Sequence, residues 1–125
     1  MSERRRRAEA RGRLAETLAV LALRLKGYRI LARRLRLSAG EIDIVAARGR
    51  CVVFVEVKAR ADTTAATEAL TGRQRRRLLR AAEQFVGRHP HLAGRDFRFD
   101  LMLVAPRRWP VHLVDAWRAD GAATE

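Results

Sequence analysis

The chain is poor in cysteine, in lysine, in aromatic residues and in long apolar runs. One cysteine, Cys51, stands among 125 residues. It excludes an internal disulfide and a cysteine-based zinc site. Aromatics make up 6% of the chain, too few for a base-stacking platform of the single-strand-binding type. No stretch reaches the roughly 20 apolar residues of a membrane-spanning helix. A basic run, Arg4 to Arg7, precedes an apolar stretch from Leu14 to Leu25 and imitates a signal peptide. Glu16 and Arg24 interrupt that stretch and no small-residue cleavage site follows. The expectation is a cytoplasmic protein with no membrane partner.

What is abundant is arginine. Lys and Arg number 27 against 14 Asp and Glu, a net charge of +13. Only Lys26 and Lys58 are lysine. Such an excess points to a polyanionic partner, most often nucleic acid. The charge is not uniform. Residues 1–36 hold 12 basic and 3 acidic groups, a net of +9. Residues 37–70 hold 4 and 5, a net of −1, and residues 71–125 hold 11 and 6, a net of +5. A slightly acidic centre lies between two basic flanks.

The apolar fraction, 48%, suffices for one core and the length for one domain, 1–125. Residues 1–12 read as a basic N-terminal arm and 118–125 as a frayed tail. Residues 13–26 read as a helix, with Leu14, Leu18, Leu21, Ala22 and Leu25 on one face and apolar residues on most of the rest. It is expected to be largely buried. Alternation predicts strands over 28–37, 41–47 and 97–105. An apolar, β-branched run reads as a central strand over 51–59, and a final strand is read over 111–117. A second helix spans 73–88, with Leu78, Leu79, Ala82, Phe85 and Val86 inward. Thr71 and Gln74 have the spacing of a capping box. Residues 60–70 read as a loop. The order is α-β-β-β-α-β-β.

Gly49-Arg50 fits a two-residue hairpin loop with Gly in the first central position. In that register Asp43 falls opposite Glu56, and Glu41 opposite Lys58. Two carboxylates directly across a strand pair repel. Glu56 and Lys58 also interrupt the most apolar run of the chain, where charge carries a desolvation cost. A divalent cation held by oxygen ligands would relieve both problems. Glu16, the only acid in the apolar part of the first helix, needs a polar destination. Lys58 adds a compact charge that, unlike Arg, can lose its proton.

Gly40-Glu41-Ile42-Asp43-Ile44-Val45 and Val53-Phe54-Val55-Glu56-Val57-Lys58-Ala59-Arg60 resemble the core of the PD-(D/E)xK nuclease superfamily. They are most similar to the YraN-like family of uncharacterised bacterial proteins, itself similar to archaeal Holliday-junction resolvases. Gly27-Tyr28-Arg29-Ile30-Leu31 and Arg98-Phe99-Asp100 extend the likeness over roughly residues 12–117. Ile42 stands where the superfamily name has Pro, as is ordinary for this group. The resemblance implies an α/β, restriction-endonuclease-like fold with a mixed central sheet flanked by helices. It implies Mg²⁺ or Mn²⁺ held by Asp43, Glu56 and the backbone carbonyl of Val57. Lys58 would be the catalytic lysine and Glu16 the helix carboxylate. Similarity to the resolvases suggests a homodimer.

The expected function is metal-dependent hydrolysis of phosphodiesters in structured or double-stranded DNA. The alternative is a catalytically silent nucleic-acid-binding module on the same fold. Arg33, Arg34, Arg36, Arg73, Arg76 and Arg77 are the expected phosphate contacts. Glu41 and Gln74 are site-lining candidates, although a helix cap explains Gln74 without function. Asp100 is expected on the polar face of its strand, paired with Arg98. His89, His91 and His112 read as structural or surface groups, and Cys51 as a small buried hydrophobe.

Overall fold

A computed structural model of the chain describes residues 2–60 and 71–117. The loop expected over 60–70 (beyond Arg60) and the tail expected over 118–125 lie outside the described residues. The elements are α1 (Glu3–Leu25), β1 (Arg29–Leu37), β2 (Gly40–Arg48), β3 (Cys51–Ala59), α2 (Gly72–Gly87), β4 (Asp96–Val104) and β5 (Val111–Trp117). The strands form one mixed sheet in the order β1-β2-β3-β4-β5. Only β3 and β4 are parallel. This is the α/β architecture and element order read from the sequence.

Helix α1 begins at Glu3, well before the expected 13, with Ser2 accepting a hydrogen bond from the Arg5 amide as N-cap. The basic stretch expected to be an arm is therefore the first half of this helix. Its buried face is also not the one that the leucines suggest. Ala15, Glu16, Ala19, Val20, Ala22 and Leu23 pack on the sheet, whereas Leu14 and Leu25 are 59% and 69% exposed. The small residues at 15, 19 and 22 let the helix axis approach the sheet closely. That close contact carries Glu16 inward with them.

The two faces of the sheet carry separate cores. Ile44, Ala46, Val53, Val55, Met102 and Val104 pack with α1. Ile42, Val45, Val52, Phe54 and Phe99 pack with Leu78, Ala81, Ala82 and Phe85 of α2. Thr71 and Gln74 make the expected capping box, so Gln74 is occupied at the helix start. The stem of Arg77 crosses Gly40 so closely that a Cβ there would meet Arg77 Cγ at 2.8 Å.

Asp100 is fully buried on the α1 face, not set on a polar face as expected. Arg98 donates to both of its oxygens at 2.8 Å, His112 Nε2 lies 2.6 Å away, and the Asp115 amide donates at 2.8 Å. Arg98 also reaches the Tyr28 hydroxyl at 2.6 Å, and His112 Nδ1 faces Lys26 Nζ at 2.9 Å. Burial opposes the Asp100 charge, but hydrogen bonds from His112, Arg98 and the Asp115 amide outweigh it and hold the carboxyl below its ordinary range. This network ties the end of α1 to β4 and β5. Replacing Asp100 by Ala strands the Arg98 guanidinium, which is only 20% exposed. Urea denaturation of Asp100→Ala is expected to show a loss of about 3–5 kcal/mol. A loss under about 1 kcal/mol would mean that the network is not structural.

Candidate active site

The hairpin places the acids as its loop residues require. Gly49 has φ +58°, the left-handed backbone of a first central hairpin position. The β2–β3 ladder runs from Arg48–Cys51 to Ile44–Val55 and stops there. The next pair in register is Asp43 and Glu56. Instead of extending the ladder, the Asp43 side chain bridges the strands: its Oδ2 accepts the Val57 amide at 2.8 Å.

The departure begins on the neighbouring strand. Arg34 has φ +48°, a left-handed backbone rare for a long side chain. The β1–β2 register includes Arg33–Ile44 and Leu35–Ile42 but omits Arg34–Asp43 between them. Ile42 consequently packs on the α2 side and Ile44 on the α1 side, although strict alternation would put both on one face. Asp43 lies between them in sequence, is partly buried, and belongs to neither core.

Three charged groups meet there. Asp43 and Glu56 lie close enough to interact, and the interaction favours a proton on Glu56 over one on Asp43. Lys58 Nζ is 3.3 Å from Glu56 Oε1, and the two side chains are only 17% and 15% exposed. Burial, then the neighbouring Asp43 charge, push Glu56 up to about 7, although Lys58 opposes them. Burial likewise raises Asp43, against the hydrogen bond from the Val57 amide. One ammonium faces two carboxylates, a local excess of negative charge in a chain of net +13. Glu41 is not the partner of Lys58 expected from the register. It lies near Arg36 at 3.8 Å.

Asp43 lines a cleft of about 480 Å³ together with Glu16, Arg34, Arg36, Glu41 and Val57. Glu16, expected as a helix carboxylate of the site, does reach this cleft. Its two oxygens accept hydrogen bonds from Arg33 Nε at 3.1 Å and Arg34 Nε at 2.8 Å. Those two arginines, expected as free phosphate contacts, are thus ion-paired. Arg36, Arg73, Arg76 and Arg77 are exposed, as expected. Arg33 and Arg34 as partners of Glu16 were not read from the sequence; consecutive strand residues ordinarily point to opposite faces.

Among the described residues, no three His, Cys, Asp or Glu side chains gather as a ready-made metal cage. The donor set at Asp43 and Glu56 nonetheless suits a hard cation. Mg²⁺ commonly takes one or two carboxylates and completes its shell with water and substrate phosphates.

A consequence for stability follows. A carboxyl whose pKa is raised on folding contributes stability that is complete below its unfolded value and lost as pH rises through its folded value. For Glu56 that window lies between 4.5 and about 7. Urea unfolding in EDTA is expected to show wild-type stability falling across this window, with a shallower fall in Asp43→Asn, which removes the neighbouring charge. Equal slopes in the two proteins would show that the carboxylates do not interact.

The signature described as uncharacterised protein family UPF0102 covers residues 15–104, a span that includes Glu16, Asp43, Glu56 and Lys58. A UPF0102 protein of Parvibaculum lavamentivorans is 64% identical over 107 residues, which are 86% of this chain and 80% of the relative. A UPF0102 protein of Methylorubrum extorquens is 52% identical over 118 residues, 94% of this chain and 92% of the relative. The similar protein of Paramagnetospirillum magneticum is 55% identical over 117 residues, with 90% and 91% covered. The chain belongs to the UPF0102 family, the YraN-like group that its Gly-Glu-x-Asp and Glu-x-Lys segments resemble.

Proposed function

We propose that this protein is a metal-dependent endonuclease that hydrolyses phosphodiesters of structured or double-stranded DNA. One observation carries the reading. A half-buried Asp–Glu pair with a lysine beside it contributes Asp43 to a cleft whose walls also bear Arg13, Arg34 and Arg36 beside Glu9, Glu16 and Glu41. A structural sheet has no use for carboxylates that repel each other. A phosphodiesterase does, because two carboxylates can hold a cation against a phosphate.

Asp43 and Glu56 would hold Mg²⁺ or Mn²⁺, with the Val57 carbonyl as a further oxygen ligand. When bound, the cation would neutralise phosphate charge and lower the pKa of a coordinated water. The protein's own groups supply the rest. The Val57 amide fixes the Asp43 carboxylate through Oδ2. Lys58, held 3.3 Å from Glu56 Oε1, would stabilise charge that develops on a phosphate oxygen or orient the attacking water. Arg36, Arg73, Arg76 and Arg77 would hold flanking phosphates without reading sequence. Low aromatic content fits backbone contact better than base stacking. A homodimer in the cytoplasm would present the two active sites that a four-way junction needs. No described helix is long and apolar enough to cross a membrane.

Supercoiled plasmid and a synthetic four-way junction, each incubated with Mg²⁺ or Mn²⁺, provide the test. Cleavage by the wild type is expected, with a loss of about 100-fold or more in Asp43→Ala and in Lys58→Ala. Cleavage that persists in both variants would remove these residues from the mechanism. Salt-dependent binding without any cleavage would favour the silent binding module. Mn²⁺ is also expected to raise the melting temperature of the wild type at pH 8 and not that of Asp43→Ala.

A further inference from the structure

Arg33 and Arg34 are consecutive in β1, yet both guanidiniums meet one carboxylate. In a regular strand their side chains would point to opposite faces. The left-handed backbone at Arg34, φ +48°, is the break that brings them together, and it is strained for a residue of this kind. The receiving carboxylate is as deliberately placed. Glu16 is 7% exposed, carried inward by the contact of Ala15 and Ala19 with the sheet, and each oxygen takes one Nε–H.

The geometry leaves capacity to spare. A guanidinium has five N–H donors, of which each arginine uses Nε toward Glu16. Their side chains remain 41% and 45% exposed. One carboxylate balances only one of the two positive charges. Arg34 also lines the cleft that Asp43 lines. Serving as a metal ligand would set a cation directly against the two guanidiniums that Glu16 already holds. Serving as their anchor requires no change.

We infer that Glu16 is a positioning residue that sets Arg33 and Arg34 as a paired guanidinium fork, and that this fork binds a backbone phosphate beside the Asp43–Glu56 pair. The inference rests on reading the cleft as directed at phosphodiesters, and it narrows the substrate. A site that grips a neighbouring phosphate acts on internal linkages of a polynucleotide, not on terminal phosphomonoesters. Bidentate guanidinium geometry suits phosphate oxygens and pre-sets the contact before any metal arrives.

Fluorescence anisotropy of a labelled 20-base-pair duplex in EDTA tests this without metal or catalysis. The wild type is expected to bind, and Glu16→Ala to bind about fivefold or more weakly, with the slope of log affinity against log salt shallower by about one. Glu16→Gln, nearly isosteric and still able to accept one Nε–H, is expected to fall between the two. In an Arg33→Ala/Arg34→Ala background, loss of Glu16 is expected to weaken binding no further. Thermal melts check that each protein is folded, and Glu16→Gln carries the test if the alanine variant is not. The opposite sign overturns the inference: deleting a carboxylate beside a polyanion tightens binding if Glu16 merely repels it. Unchanged or tighter binding in both Glu16 variants, an undiminished loss in the double-arginine background, or no duplex binding by the wild type would each refute it. A chain that shows the expected binding pattern yet cleaves nothing with Mg²⁺ or Mn²⁺ would refute the nuclease reading and leave the fork standing. Cleavage with the inverse binding pattern would do the reverse.

Discussion

Asp43 and Glu56 are pressed together because the hairpin register sets them opposite each other, one pair beyond the last paired residues of the β2–β3 ladder. The hairpin at Gly49-Arg50 sets the register, and the last paired residues are Ile44 and Val55. Beyond them Asp43 takes the Val57 amide with its side chain, a job that a backbone carbonyl does elsewhere in a sheet. The left-handed Arg34, the change of face between Ile42 and Ile44, and the packing of Glu16 under Arg33 and Arg34 all surround this point.

Asp100 shows what a structural acid looks like in this fold. Asp100 is fully buried, and both of its oxygens are met by Arg98, His112 and the Asp115 amide. Its carboxyl is held below the ordinary range. Glu56 is half-buried, its neighbour is another carboxylate and its ion-pair partner is Lys58, and it is pushed up to about 7. Burial disfavours charge in both places; the partners decide the sign. Asp100 has its compensation within the fold. The Asp43–Glu56 pair lacks it, and uncompensated carboxylates beside a cleft are the physical basis for reading this place as functional.

Much of this was legible in the sequence because it is local. The bounds of β3 and β5, the hairpin register and the Thr71–Gln74 cap follow from alternation, turn chemistry and spacing over a few residues. The buried face of α1 did not follow. Leu14, Leu18, Leu21 and Leu25 make the more apolar stripe, but the alanines at 15, 19 and 22 permit closer packing on the sheet. The signal that pointed the right way was Glu16 itself, which shares its face with those alanines. Glu16 as an anchor for Arg33 and Arg34 was out of reach, since it depends on a backbone break that alternation cannot express. The His112 contact to Asp100 joins two strands through tertiary placement alone.

Cation binding followed by its proton balance addresses the centre of this picture. A cation that settles between Asp43 and Glu56 must displace the proton held by the pair. Calorimetric titration with Mn²⁺ in two buffers of different ionisation enthalpy counts the protons released. With Glu56 at about 7, release of about half a proton per ion is expected at pH 7, falling toward zero near pH 9. Binding that releases no proton at pH 7, or binding that survives unchanged in Asp43→Ala, would contradict a cation site built on this pair.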